Sequence, residues 1–139
     1  MIDQKNAPYA ALILRISLGV LFIAHSLLKM LVFTLPGAAE FFQSLGVPGA
    51  LAYVVSYVEL IGGSALILGF FARYAALALL PVIIGAIVLV HGANGWEFTN
   101  KDGGWEYPAF WAVALVVQFL LGDGAFALKS SLHVEALRS

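Results

Sequence analysis

The sequence predicts an all-α membrane protein: a bundle of four transmembrane helices with both termini in the cytoplasm. Of its 139 residues, 62% are hydrophobic and only 11% are charged, whereas soluble domains are about 45–50% apolar and about 25% charged. The apolar residues fall into four long runs, separated by segments rich in Gly, Pro and polar residues. Backbone amides in hydrocarbon must be satisfied internally, and these runs are too long and too unpatterned for barrel strands, so they are predicted to be helices.

The whole chain, 1–139, is interpreted as one membrane domain. Spans are predicted at about 9–33, 49–71, 74–91 and 106–122. The first two exceed the ~20 residues that a helical crossing needs, and the last two approach it. Outer loops are predicted at 34–48 and 92–105, with a cytoplasmic tail at 123–139. The first loop contains AAEFFQSL, a candidate amphipathic helix at the membrane surface, and the tail is predicted to end in a short surface helix.

The distribution of Lys and Arg predicts the orientation. Four helices place both termini on one side of the membrane, and that side carries five basic residues against two on the other, which favours a cytoplasmic location. Arg15, near the inner end of the first span, is expected to reach the headgroups by snorkelling. The five residues on the inner side are Lys5, Arg15, Arg73, Lys129 and Arg138, and the two on the outer side are Lys29 and Lys101.

Composition also limits the chemistry and the partners. The chain contains no cysteine, which excludes disulfides, thiolate metal sites and cysteine redox chemistry. We predict no metal site. The net charge is −1 and there is no basic patch, so we expect the lipid bilayer as a partner and no nucleic acid.

Two ionisable residues, His25 and Glu59, lie deep in the first two predicted spans, and Lys29 lies nearer the outer end of the first, where snorkelling to the headgroups is an alternative. His25 and Lys29 form an i,i+4 pair on one helix face, and His25 is about 12 Å inside the outer boundary at 1.5 Å per residue. Glu59 falls at a similar depth, where an unpaired carboxylate costs several kcal/mol. Gly62 and Gly63 follow it and favour close approach of a neighbouring helix. We therefore expect Glu59 to face protein, with His25 or Lys29 as its partner.

Two further residues, His91 and Glu106, lie at the outer ends of the third and fourth spans. Together with the first three they predict a polar pocket in the outer half of the bundle, a typical small-molecule site if its walls are apolar. Structural explanations remain open: an interfacial His91, a Glu106 that complements the helix dipole, and an ion pair that only specifies packing. The predicted walls are Phe22, Tyr53, Tyr57, Phe110 and Trp111.

Four motifs at these positions resemble the DoxX family of small bacterial and archaeal membrane proteins. They are LRISLGVLFIAHSLLK, VELIGGSALILGFFARYAAL, HG at His91–Gly92, and GGWEYP, and the resemblance runs from about Ile13 to Gly122. It implies a four-helix membrane bundle. Some family members are linked to thiosulfate:quinone oxidoreductase and others to membrane complexes that handle oxidative stress.

The resemblance and the polar residues together lead to a functional hypothesis: a component of a quinone-linked oxidoreductase or oxidative-stress complex in the bacterial inner membrane. The chain has no GxGxxG flavin fingerprint and no haem-type His pair, so electrons are expected from a quinone or a redox partner protein. The quinone would bind non-covalently, and a homo-oligomer is possible in principle. The candidate catalytic residues are Glu59 and His25, and the candidate quinone-binding residues are Lys29, His91, Glu106, Trp105 and Tyr57.

Two alternatives belong to other functional classes. A non-catalytic scaffold of a redox complex would use the buried charges only for structure. A small-solute permease would use the charged outer half as a vestibule, although four helices are few for alternating access and the chain shows no matched pair of broken helices.

Overall fold

The computed structural model describes residues 1–131, and its regular elements are all helices. The helices are α1 (Ala7–Leu27), α2 (Leu35–Ser44), α3 (Ala50–Leu68), α4 (Ala72–Ala86) and α5 (Glu106–Leu121). A π-helical segment extends α1 over Leu28–Val32, and another extends α4 over Ile87–His91. Within 1–131 the sole β-type pairing is an isolated bridge between Phe70 and Lys129. The surface helix predicted at the end of the chain, and Arg138, lie outside the described residues.

Three of the helices are long and apolar enough to cross a membrane: Ala7–Val32, Ala50–Leu68 and Ala72–Asn94. The fourth apolar helix, α5, has 16 residues and extends about 24 Å at 1.5 Å per residue, somewhat less than the ~30 Å hydrocarbon layer. The chain is therefore a multi-pass membrane protein, and its residues 1–131 contain three long apolar helices and one shorter one. The candidate amphipathic segment of the first loop is also helical, as α2.

The apolar helices form a ring in which α1 packs mainly on α3 and α4 mainly on α5, while α3–α4 and α1–α5 contacts close it. The core lies where the four meet. Helix α2 lies against α3 and the π-helical end of α1, at the end of the bundle that we call the outer end, after the predicted orientation. Most other apolar side chains point outward, as expected of helices in lipid. The largest core residues are Leu18, Phe22, Leu66, Leu79, Trp111 and Leu115.

The α1–α3 interface is unusually close because small residues line it. A Cβ atom added to Gly19 would lie 2.6 Å from the carbonyl oxygen of Gly63. About two helical turns further along α1, the Ser26 hydroxyl donates to the Ser56 carbonyl at 2.7 Å. The predicted role of Gly63 in close helix approach is confirmed, whereas Gly62 faces Leu79 of α4.

Arg15 does not snorkel, so that expectation is wrong. Its side chain is 1% exposed and donates to four carbonyls: Asp123 at 2.9 Å, Leu66 at 3.0 Å, Ile67 at 2.7 Å and Ala125 at 2.7 Å. The segment after α5 folds back across the inner end of the bundle, where its carbonyls and those at the end of α3 converge on one guanidinium. Five fixed N–H donors suit this arrangement, so Arg15 ties three parts of the chain together.

Candidate functional site

The centre of the site is a buried ion pair between α1 and α3. Lys29 Nζ lies 2.6 Å from Glu59 Oε2, and the two side chains are 16% and 6% exposed. The prediction that Glu59 faces protein, with His25 or Lys29 as its partner, is confirmed, and the partner in direct contact is Lys29. The pair is neutral as a whole, which allows both charges to remain inside the bundle.

The two residues meet although their backbones lie at different depths. Ser26 and Ser56 are level with each other because they share a hydrogen bond. Lys29 is three residues further out and Glu59 three residues further in, so their Cα atoms differ in height by about 9 Å at 1.5 Å per residue. Each side chain tilts toward the N-terminus of its own helix. In these antiparallel helices the tilts are inward for Lys29 and outward for Glu59, which brings the charged ends together.

His25 lies one helical turn before Lys29. Its Nδ1 is 2.9 Å from the carbonyl oxygen of Leu21, and its ring stands edge-on to Trp111 at a centroid distance of 5.0 Å. It is near enough to Glu59 for an electrostatic interaction, but Lys29 makes the direct contact. The hydrogen bond to Leu21 thus fixes the Nδ1 edge of His25, and the ring packs against Trp111 at the boundary between α1 and α5.

His91 is positioned by the loop that joins α4 to α5. Its Nδ1 lies 2.9 Å from the carbonyl oxygen of Gly103, and the same carbonyl accepts from Asn94 Nδ2 at 3.0 Å. Gly103 has φ +78°, a conformation that glycine adopts easily. This turn brings its carbonyl back to the end of α4 and holds the imidazole in place.

Both of the π-helical segments carry a residue of the site: Lys29 lies in Leu28–Val32 and His91 in Ile87–His91. A π-helical turn contains an extra residue, which shifts the direction of the side chains around the helix axis, and such turns occur frequently at functional sites. The two segments lie at the outer ends of α1 and α4. They thus change the directions in which side chains leave the helix axis, at the level where the polar residues meet.

Two cavities border these residues. The larger, which we call the groove, has a volume of about 750 Å³ and lies between α1, α2, α3 and α4; His25, Lys29 and His91 border it among mostly apolar side chains. The smaller, which we call the chamber, has a volume of about 420 Å³ and lies between α1, α4, α5 and the loop before α5. Three residues border both: His25, Ala86 and His91.

Three predicted site residues lie elsewhere, so their placement in the pocket is corrected. Tyr57 is 51% exposed on the face of α3 that points away from the bundle, because it is two residues from Glu59, which corresponds to about 200° of helical rotation. Trp105 packs edge-on against Trp96 at 4.6 Å and borders neither cavity. Glu106 Oε1 accepts from the backbone N–H of Phe98 at 2.9 Å and so ties the loop to the start of α5.

The predicted aromatic walls are also partly wrong. Trp111 borders the chamber, and Phe22 packs against it at 4.8 Å inside the core. Tyr53 and Phe110 are 38% and 72% exposed and point away from both cavities. A membrane helix is apolar on the side that faces lipid as well as on the side that faces protein. Composition alone therefore does not show on which side an aromatic residue lies.

The sequence reasoning missed the residues that form most of the groove. Side chains of α2 cover its outer end, and valines of α3 and the middle of α4 form its sides. The amphipathic pattern of the first loop was the available signal, since an apolar face on a surface helix needs something to cover. The residues concerned include Phe41, Phe42, Leu45, Val54, Val58 and Pro81.

A family model described as DoxX matches residues 10–92, a range that contains His25, Lys29, Glu59 and His91 and excludes Glu106. "Putative oxidoreductase CatD" of Bacillus subtilis (strain 168) is 35% identical over 87 residues, which are 63% of this chain and 63% of that protein. This chain therefore matches less than two thirds of the length of that relative.

Two other relatives are matched over most of their length. "Inner membrane protein YphA" of Escherichia coli (strain K12) is 32% identical over 128 residues, 87% of this chain and 89% of that protein. An "Uncharacterized protein" of Haemophilus influenzae (strain ATCC 51907 / DSM 11121 / KW20 / Rd) is 29% identical over 129 residues, 91% of this chain and 93% of that protein. No solved structure matches the chain.

Proposed function

The chain belongs to the DoxX family, and on that premise we propose that it is a quinone-binding component of an oxidoreductase in the inner membrane. The names of two relatives support the proposal, "Putative oxidoreductase CatD" and "Inner membrane protein YphA". Electrons would come from a partner protein, because the sequence contains no GxGxxG flavin fingerprint.

The observation that carries the proposal is the groove. It combines a long apolar surface with His25, Lys29 and His91. A quinone has the matching character: a flat ring with two polar oxygens, attached to an apolar tail. Ligand sites of this kind are usually apolar with a few convergent polar groups that orient the ligand.

In this proposal each polar residue has a role that its position permits. Lys29 borders the groove, and its ammonium has three N–H donors, of which one points at Glu59; another donates to a ring oxygen. Glu59 borders neither cavity, so it holds the lysine in position, and any proton that it exchanges with the site passes through Lys29. His25 forms the wall beside them and also accepts or returns a proton, a reaction that imidazole performs near neutral pH.

We further propose that α5 is a fourth crossing and that both termini are cytoplasmic. The N-terminal part of α1 and the segment after α5 lie together, since Ala125 donates to the Pro8 carbonyl at 2.9 Å. Lys5, Arg73 and Lys129 belong to this end, whereas Lys101 lies in the loop at the other end, which is the distribution of a positive inner side. A homo-oligomer is part of the same proposal and is tested by mass measurement in detergent.

The test is saturable binding of a short-tailed ubiquinone to the purified protein in detergent, measured by calorimetry. Lys29→Met/Glu59→Leu, which removes the lysine without leaving a buried carboxylate unpaired, is expected to weaken binding about tenfold, the effect of one lost hydrogen bond to a charged donor. Lys101→Met, which changes an exposed lysine outside both cavities, is the matched control and should bind as the unmodified chain does. The absence of saturable binding, or an equal effect in the two variants, would contradict the proposal.

A second candidate, a non-catalytic scaffold, is favoured by one specific observation. The principal polar groups of the site already have partners inside the protein: Lys29 with Glu59, His25 with Leu21, and His91 with Gly103. A scaffold predicts that the folded double variant Lys29→Met/Glu59→Leu still assembles with its partner and supports the activity of the complex. Assembly with loss of electron transfer would instead favour the quinone site.

A further inference from the structure

The hydrogen bonds of the two histidines determine which ring nitrogen carries a proton. His25 Nδ1 lies 2.9 Å from the Leu21 carbonyl oxygen, and His91 Nδ1 lies 2.9 Å from the Gly103 carbonyl oxygen. A carbonyl oxygen has no hydrogen and can only accept, so both Nδ1 atoms must be donors. In a neutral imidazole the other nitrogen is then the acceptor. When neutral, each histidine therefore presents an Nε2 lone pair and no Nε2–H.

Both rings border the groove and the chamber, and Nδ1 of each is already bonded to a backbone carbonyl. Nε2, the acceptor, is therefore the ring nitrogen left for a ligand in either cavity. A quinone carbonyl is itself only an acceptor, and two acceptors placed together both lose water without gaining a bond. The hydroxyl of a quinol, in contrast, can donate to Nε2.

From this polarity we infer that the site prefers the reduced, hydroxyl-bearing form of its ligand, the quinol, over the oxidised carbonyl form. The inference rests on the proposed function and specifies which redox form of that ligand is held more tightly. It depends on the orientation of two imidazoles, and the backbone carbonyls of Leu21 and Gly103 determine that orientation.

The other polar groups do not reverse the preference. Lys29 can donate to a hydroxyl oxygen as well as to a carbonyl oxygen, since both have lone pairs. The indole N–H of Trp111 has no acceptor among the described residues, but Nε1 is completely covered by protein atoms and so does not offer a donor to the chamber. The hydroxyl of Tyr107, which also borders the chamber, rotates to donate or accept.

The experiment compares the dissociation constants of ubiquinone-1 and ubiquinol-1 for the purified protein, at neutral pH and under nitrogen. The quinol is expected to bind about tenfold more tightly, the contribution of one hydrogen bond. The same ratio raises the midpoint potential of the bound pair above that of the free pair by about 30 mV for two electrons. Tyr74→Phe, at the inner end of the bundle, is the control and should leave both constants unchanged.

Two pairs of substitutions test the role of Nε2 itself. Asparagine at positions 25 and 91 keeps a donor near Nδ1 but has no group at Nε2, so His25→Asn/His91→Asn should bind both forms about equally. Glutamine places an amide oxygen near the position of Nε2, so His25→Gln/His91→Gln should retain the preference. An ¹⁵N NMR spectrum of the unmodified protein, which needs no variant to fold, should show Nδ1 protonated and Nε2 unprotonated in both rings.

Equal binding of the two forms, or tighter binding of the quinone, would overturn this inference and leave the proposed function standing. If neither form binds, the proposed function fails as well. An NMR spectrum with the proton on Nε2 would remove the premise directly.

Discussion

Replacement of Lys29 by methionine should destabilise the protein strongly, because it leaves a buried carboxylate without its partner. Opposite charges 2.6 Å apart attract by about 6 kcal/mol at an effective dielectric constant of about 20, and this attraction offsets the cost of burying both groups. Glu59 is only 6% exposed, so water cannot replace the lysine. Removal of one member of such a pair typically costs about 3–5 kcal/mol.

The double variant Lys29→Met/Glu59→Leu should be far less destabilised than the sum of its single changes. An apolar pair of similar volume needs no charge compensation, and such replacements are often neutral. We expect it to lie within about 1 kcal/mol of the unmodified chain, since no buried charge remains. The free energy of unfolding is measured by titration with SDS in mixed micelles, followed by circular dichroism, for both single variants and the double variant.

Lys101→Met serves as the control for a lysine that is exposed, and its cost should stay within about 0.5 kcal/mol. If the effects of Lys29→Met and Glu59→Leu simply add, the two residues are not coupled. In that case Lys29 and Glu59 do not stabilise each other, and the description of the site as a buried ion pair is wrong.

Three other changes test the parts of the fold that position the site. Arg15→Met should cost at least about 3 kcal/mol in the same unfolding assay, because four carbonyls lose charged hydrogen bonds; near-neutrality would contradict the buried arrangement. Gly19→Ala should lower the free energy of unfolding by about 1–3 kcal/mol, because the added methyl group pushes α1 away from α3. Gly85→Ala should be tolerated, since no atom lies within 4 Å of the added Cβ. Hydrogen bonds from the backbone and side chain of Asn6, and then from the backbone of Lys5, hold the pKa of Asp3 below its ordinary 3.8. Any stability that this carboxylate gives the N-terminal turn is therefore fully present above the ordinary pKa and is lost as the pH falls through the lowered pKa. An NMR titration in which the pKa of Asp3 is not lowered would refute this.

The position of the Lys29–Glu59 pair shows how far depth along a helix can be predicted. Counting residues placed Glu59 at the level of the basic residues of α1, and the cost of an unpaired charge required it to face them. The choice of Lys29 over His25 depended on the tilt of the side chains and on the Ser26–Ser56 contact, neither of which a residue count contains.

Tyr57 and Trp105 show where that reasoning fails. Their aromatic character favoured the pocket, but in a lipid-facing helix the outer side is as apolar as the inner side. Only the packing of α3 on α1 decides that Tyr57 points outward, and only the folded loop places Trp105 against Trp96.

By itself the sequence determined the helical membrane class and the need of Glu59 for a cationic partner, because both follow from the cost of placing polar groups in hydrocarbon. The close approach of α1 to α3, the burial of Arg15 beneath the segment after α5, and the groove shared by His25 and His91 were decided only by the tertiary structure. Each of them depends on atoms that are distant along the chain and are brought together by packing, which local apolar patterns do not encode.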